Sequence, residues 1–272
     1  MKLYHYTDFV ALDGILHNRE MRVNNVLNMN DATEMDLFIT GIITAVSNRF
    51  SPTEEGDIIQ MLKNMLEEAR GKYFEYSFYA ACFSGYRDDA SQWERYASRG
   101  KGVCLCFQQE ILEKMTSRSI FLRKVYYQLD MDSHPLVQRI YDLLKENRNR
   151  ERTDELLETV FEVWRNSASF KHPSFSSEHE TRLIVMPFAD KNFKLLPGYH
   201  VTRERIKKYY PLDLDAMCAQ ADVTIEDLIT EIIIGPESTQ SIPILQDYLS
   251  DNGLKKLARN IVYSNCPLRS KM

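Results

Sequence analysis

The sequence predicts an α+β fold in a single domain spanning residues 1–272, and three observations lead there. Short apolar runs at Lys2–Tyr6, Val103–Phe107 and Thr181–Pro187 read as strands. Apolar residues recur at helical spacing elsewhere, as in Met35, Phe38, Ile39, Ile42, Ile43 and Val46. Strands resume after the helical stretches, so residues at about 53–70 and 135–168 read as helical insertions beside one sheet rather than as a second domain.

Taken in order, Lys2–Tyr6 is the first strand. Thr7 or Asp8 caps a helix that carries Phe9, Leu12, Ile15 and Leu16 on one stripe, and Asn18 ends it. Met21–Val26 is a second extended piece. Asp31 and Glu34 have capping-box spacing ahead of the Met35–Val46 stripe. Ser51-Pro52-Thr53 breaks that pattern, and a second amphipathic helix runs on to Arg70. Tyr76–Ser84 is an aromatic-rich strand, followed by a polar loop at Gly85–Ala90. Ser91 and Glu94 have capping-box spacing for a short helix that Gly100 or Gly102 terminates. Val103–Phe107 and Ile120–Tyr127 are strands. Leu136, Ile140, Leu143 and Leu144 mark one helix; Leu156, Leu157, Val160, Phe161 and Trp164 mark the next. The charged run Lys145–Asp154 joins them. Thr181–Pro187 and Glu231–Gly235 are strands, Ile242–Leu249 is helical, and Asn260–Ser264 is a last strand.

Bulk properties narrow the function classes. The net charge of −5 gives no whole-surface attraction to phosphate, so only a local basic strip would serve nucleic acid. Arg203-Glu204-Arg205-Ile206-Lys207-Lys208 is such a strip, or else the solvated face of a helix. The five cysteines include no C-x-x-C pair, and the N-terminus has no apolar leader, which fits reduced thiols and a cytoplasmic location. Cys104 and Cys106 share one face of their strand and are expected to be buried. No stretch reaches the roughly 18 apolar residues of a membrane span. The P-loop, G-x-G-x-x-G, H-E-x-x-H and G-x-S-x-G signatures are absent, and the six histidines are scattered, so no metal site is expected.

Four blocks hold the candidate chemistry. His5-Tyr6-Thr7 ends the first strand, where a His is placed to meet a ligand or to pack in the core. Asn30-Asp31-x-x-Glu34 offers polar contacts to a ribose or phosphate, or is simply a helix start. Trp93 and Tyr96 lie three apart on a short helix and project to one side, as an aromatic wall for a base or as core anchors. If the strand has begun by Glu178, then Glu178, Glu180 and Arg182 share a face. That face either lines a polar cleft, where a carboxylate would stabilise a cationic centre, or carries a surface ion pair worth little.

In order, these blocks resemble the domain-of-unknown-function 2971 family. The resemblance rests on His5 and Tyr6, on Asn30, Asp31 and Glu34, and on Cys82-Phe83-Ser84. It continues through Trp93 and Tyr96, Gly102 and Phe107, Phe175 with Glu178, Glu180 and Arg182, and Ile233-Ile234-Gly235-Pro236. Phe175 stands where many members carry Trp. The order of a first-strand His, a mid-chain aromatic block and a late E-x-E strand is also similar, more distantly, to the ADP-ribosyltransferase superfamily.

That second resemblance implies a mixed or antiparallel split sheet and an enzyme that cleaves NAD without a metal. ADP-ribose would pass to a nucleic acid, a protein or water, in an antiviral defence or toxin system of a bacterium. Glu180, His5 and Glu178 would be the catalytic residues. Tyr6, Thr7, Trp93, Tyr96, Asn30, Ser84 and Arg182 would hold the nucleotide. The alternative is a non-catalytic nucleotide- or nucleic-acid-binding sensor, which would bind without turnover.

Overall fold

Alternation along β1 (Lys2–Thr7) sends Leu3 to one side of a sheet and Tyr4 and Tyr6 to the other. The computed structural model describes residues 1–26, 34–51, 55–69, 78–147, 151–187 and 193–268. β4 (Val103–Gln108) runs antiparallel beside β1, setting Leu3 opposite Phe107, His5 opposite Leu105 and Tyr6 opposite Cys104. β9 (Ile229–Ile234) pairs antiparallel with β4, and β10 (Ile261–Tyr263) pairs parallel with β9.

On the other flank of β1 is β3 (Tyr79–Ser84), with Tyr4 opposite Ser84. β6 (Glu180–Val185) pairs antiparallel along β3, from Tyr79 opposite Val185 to Ser84 opposite Glu180. β5 (Ile120–Lys124) pairs with β6. The sheet also continues from β3 through β2 (Glu20–Asn25) and β8 (Ile206–Asp213) to β7 (Gly198–Val201). It thus forks at β3, and it is a single mixed sheet of ten strands among the described residues.

One face of the sheet carries the main core. Leu3, Phe83, Leu105, Phe107, Leu183, Leu212 and Ile232 converge there. α1 (Phe9–Leu16) adds Leu12, Ile15 and Leu16; Asp8 caps it by accepting from the Ala11 N–H at 2.8 Å. The helix stops at Leu16, with His17 rather than Asn18 at its end. α5 (Gln109–Lys114), α8 (Leu214–Gln220), α9 (Ile225–Leu228) and α10 (Ile242–Asp251) bury Leu112, Leu214, Leu228 and Leu249 in the same core. The other face holds Tyr4, Tyr6, Cys104, Cys106 and Ile233, covered by Trp93 and Ala97. Both strand cysteines are buried on one face, as expected, and all five cysteines are free thiols.

The chain divides into two compact units. The sheet belongs to the first, made of Met1–Asn24, Tyr79–Lys124 and Ser177–Met272. The second is made of Asn25–Phe78 and Val125–Ser176. It contains α2 (Glu34–Ser47), α3 (Glu55–Ala69), α6 (Pro135–Glu146) and α7 (Asp154–Ser167), which follow the apolar stripes. Phe38 of α2 packs against Phe170 at 6.0 Å and edge-on against His134 at 5.5 Å. His134 and Thr153 cap α6 and α7. Among the described residues, no helix is long and apolar enough to cross a membrane.

Four further expectations need correction. Ser91 does not cap the short mid-chain helix; Asp89 does, one residue before the helix begins at Ala90. The sixth strand begins at Glu180, not Glu178: a 3₁₀ turn runs over Pro173–Glu178, and His179 has φ of 44°. The fifth strand ends at Lys124 rather than Tyr127. Arg203–Lys208 is not a helix face but the turn of a β7–β8 hairpin and the start of β8, where Tyr210 and Leu212 alternate into the core. Asn28–Asp31 and Tyr76 lie outside the described residues.

Candidate functional site

The candidate residues gather around α4 (Ala90–Tyr96), which rests on the Tyr4–Tyr6 face of the sheet. Asp89 starts the helix by accepting from the N–H groups of Ser91 and Gln92 at 2.9 and 3.0 Å and from the Ser91 hydroxyl at 2.6 Å. Trp93 is fully buried, and Tyr6 meets it edge-on at 4.9 Å. Its indole N–H donates to Asp88 Oδ1 at 2.8 Å. The Tyr6 hydroxyl donates to the Tyr86 carbonyl and accepts from the Asp89 N–H, both at 2.9 Å. Burial pushes the Tyr6 pKa well up, so the phenol stays protonated and keeps both bonds. Tyr6 and Trp93 therefore anchor the Gly85–Asp89 loop from beneath. Asp88 also ties down the C-terminal segment, accepting from the Ser264 hydroxyl and from the Asn265 N–H at 2.7 Å.

Tyr96, one turn further along the same helix, reaches Glu178. Its hydroxyl donates to Glu178 Oε1 at 2.7 Å, and Arg95 Nη1 donates to the same oxygen at 3.0 Å. The Glu178 side chain is 4% exposed, against 44% for Arg95. Ser84 closes the other side: its Oγ donates to the Glu178 carbonyl at 3.0 Å and accepts from the Tyr86 N–H at 3.2 Å. His179 sits in the left-handed region, its carbonyl accepting from the Gly85 N–H at 2.9 Å. Its exposed ring meets that of Tyr86 edge-on at 4.1 Å.

Glu180 and Arg182 point to the same face of β6, as alternation requires, but they are not at the surface. Arg182 forks onto the carboxylate, Nε to Oε1 at 2.7 Å and Nη2 to Oε2 at 3.2 Å, with both side chains almost free of solvent. The carboxylate's charge is thus met inside the protein.

His5 goes elsewhere. It packs against Phe83 and Phe107 on the main-core face, 5.6 and 6.4 Å between rings. Register places Tyr4, Ser84 and Glu180 on the opposite face, so His5 is not brought to Glu180. The Cys82 carbonyl only accepts, so His5 donates to it from Nδ1, at 2.8 Å. Burial lowers the His5 pKa. Thr7 is buried where its carbonyl meets Gly102; a Cβ there would stand 2.2 Å from that oxygen. Asn30 lies outside the described residues. Of the candidates, the structure gathers Tyr6, Ser84, Trp93, Tyr96, Glu178, Glu180 and Arg182 on the α4 face.

Sequence reading missed Tyr86, Asp88, Gln92 and Arg95. Gln92 is buried, and its Nε2 has no hydrogen-bond partner among the described residues. It shares a helix face with Tyr96, four residues on, which is the spacing that would have flagged it. Arg95 was legible only as an exposed helix charge; its partner is 83 positions away. Tyr86 is half exposed, and the neighbouring Arg87 is held by Glu231 of β9 at 2.9 and 3.3 Å, which raises the Arg87 pKa.

Chemically, the cluster offers two exposed rings, an exposed guanidinium and a buried amide donor with no acceptor among the described residues. Its two glutamates, Glu178 and Glu180, already face arginines. Among the described residues, no group of three or more His, Cys, Asp or Glu side chains could hold a metal ion. A groove of about 570 Å³ lies in the second unit, lined by Pro135, Gln138, Arg139 and Glu155 among others, and none of the candidate residues borders it.

No curated protein and no solved structure matches the chain. Residues 92–183, about a third of the chain, match the family model described as "Protein of unknown function (DUF2971)". The matched stretch starts at Gln92 on α4 and ends within β6, so it contains Trp93, Tyr96, Glu178, Glu180 and Arg182, and over those residues the chain is similar to that family.

Proposed function

We propose that this chain is a nucleotide-binding module that holds its ligand on the α4 face without turning it over. The observation that carries the reading is that both carboxylates of the E-x-E pair are engaged by arginine, Glu178 by Arg95 and Glu180 by Arg182. A carboxylate whose charge is already met has little left to stabilise a developing ribosyl cation. The Gln92 amide supports the binding half of the reading. A buried donor without an acceptor costs about 1–3 kcal/mol, and a ligand oxygen would relieve that cost. Tyr86 and His179 offer exposed rings to a base.

A second reading, an ADP-ribosyltransferase-like enzyme that cleaves NAD, draws on one contact. Tyr96 and Glu178 stand 2.7 Å apart, so an aromatic ring and a carboxylate adjoin as that chemistry requires. Glu178 would then be the catalytic carboxylate in place of Glu180, and His5 would have no part in it. The two readings share a ligand class and differ in turnover.

Calorimetric titration with NAD, ADP and ATP tests the binding claim. The expected result is saturable binding of at least one of them, weakened about tenfold or more in Gln92→Leu. Wild-type protein that binds none of the three would sink the proposal.

A further inference from the structure

We propose that the β7–β8 hairpin is an arm that binds single-stranded nucleic acid. The hairpin lies at the end of the sheet, β7 being the last strand on that flank. Its turn is built by Thr202, whose N–H and hydroxyl both donate to the Arg205 carbonyl, at 3.0 and 2.8 Å. The Thr202 Oγ1 accepts in return from the N–H groups of Glu204 and Arg205. The turn geometry thus uses backbone and one threonine, leaving the Arg203 and Arg205 side chains out of its construction.

Charge is the first argument. Arg203, Arg205 and Lys207 form no ion pair among the described residues, in a chain whose net charge is −5. Arg203 and Arg205 are exposed at the tip, and Glu204 is the one acidic residue between them. Register sets His200 opposite Lys207 and Gly198 opposite Tyr209, so alternation collects His200, Lys207 and Tyr209 on one face. Unpaired cations concentrated on an anionic protein have kept no internal partner. Phosphate is the anion that recurs along an extended ligand.

Aromatic placement is the second. Tyr209 lies across Gly198, where a Cβ would stand 2.4 Å from its ring. The Arg22 guanidinium sits over the Tyr209 ring at 4.7 Å while bonding Glu20 at 2.9 Å. On the opposite face Tyr199, Val201 and Ile206 are 62%, 71% and 65% exposed, beyond the point where Tyr210 enters the core. An exposed ring on the same hairpin as unpaired cations suits unpaired bases, which have free faces to stack; a duplex has none to offer at its grooves. Pairing of two copies through β7 would bring like-charged arms together, which argues against self-association.

The test is fluorescence anisotropy with a labelled oligo-deoxythymidine, titrated in salt from about 50 to about 200 mM. Wild-type affinity is expected to fall steeply with salt. The variant Arg203→Ser/Arg205→Ser/Lys207→Ser should bind at least about tenfold more weakly at the low-salt end. Its log–log slope should be shallower by about 2, because each single-strand phosphate contact contributes roughly 0.7. Tyr199→Ala should weaken binding about tenfold and leave the slope unchanged, since stacking releases no counterions. Neither variant alters a buried side chain, and unchanged circular dichroism would show they fold. The proposal is overturned by no binding to wild type, or by equal affinity and slope in the triple variant. It is equally overturned if phosphatidylserine vesicles bind and the oligonucleotide does not, or if wild type dimerises through this hairpin.

Discussion

Arg182 holds Glu180 by two hydrogen bonds, at 2.7 and 3.2 Å, on a face of the sheet that solvent scarcely reaches. A buried pair is costly to break because the survivor keeps an uncompensated charge. Glu180→Gln should therefore lower stability by about 3–5 kcal/mol in urea unfolding. Replacing both partners with apolar side chains, Glu180→Leu with Arg182→Met, should restore most of that loss. Equal stability of Glu180→Gln and wild type would show that the pair is not buried as described.

Asp88 joins three segments, accepting from the Trp93 indole, the Ser264 hydroxyl and the Asn265 N–H. Asp88→Ala leaves the indole N–H of a fully buried Trp without its acceptor. A loss of about 1–3 kcal/mol is expected. Faster amide exchange at Asn265 than in wild type would trace part of it to the C-terminal tie, and unchanged exchange there would count against that tie.

Gly102 has room for no side chain: an added Cβ would meet the Thr7 carbonyl at 2.2 Å and the Ala97 backbone at 3.1 Å. These are backbone atoms, Thr7 held by its pairing with Val103 and Ala97 by the end of α4, so they cannot swing aside as a side chain would. Gly102→Ala should cost at least about 3 kcal/mol, the upper end of overpacking penalties. Thermal unfolding checks it, and a shift of under a degree would contradict the close approach.

His5 makes stability depend on pH. Its pKa is lowered in the folded state by burial. In the window between the folded value and the ordinary one of about 6.5, the unfolded chain binds more protons. This contribution is therefore absent above that window, and stability falls as pH drops through it. The urea midpoint of wild type should fall more between about pH 7.5 and pH 5 than that of His5→Gln, in which Gln can still donate to the Cys82 carbonyl. Superimposable pH profiles would show that His5 does not carry the effect.

Much of the sheet was legible because its strands obey simple rules. The apolar face of β1, the Asp8 cap of α1 and the apolar runs of β4 and β9 are local signals that packing left intact. The β7–β8 hairpin was not legible, because Arg203–Lys208 is charged at every position but Ile206 and only the register with β2 shows which residues turn inward. The site was half legible. Alternation correctly placed Glu180 and Arg182 on one face, but their burial depends on the elements around β6. Glu178 joined the site by another route, through a 3₁₀ turn and a left-handed His179 that no residue spacing announces. His5 shares its strand with Tyr6 yet faces the other way, a consequence of the period of two that separates neighbours. Gln92 and Arg95 became meaningful only once α4 was laid over β1 with Glu178 beside it.

The central claim is that the α4 face binds a nucleotide and leaves it whole. The most direct measurement incubates wild-type protein with NAD at a concentration that saturates binding and follows free nicotinamide by chromatography. The expected result is calorimetric binding with no nicotinamide above the level of heat-denatured protein. Nicotinamide released by wild type and abolished in Glu178→Gln would contradict the claim and make the site an active one.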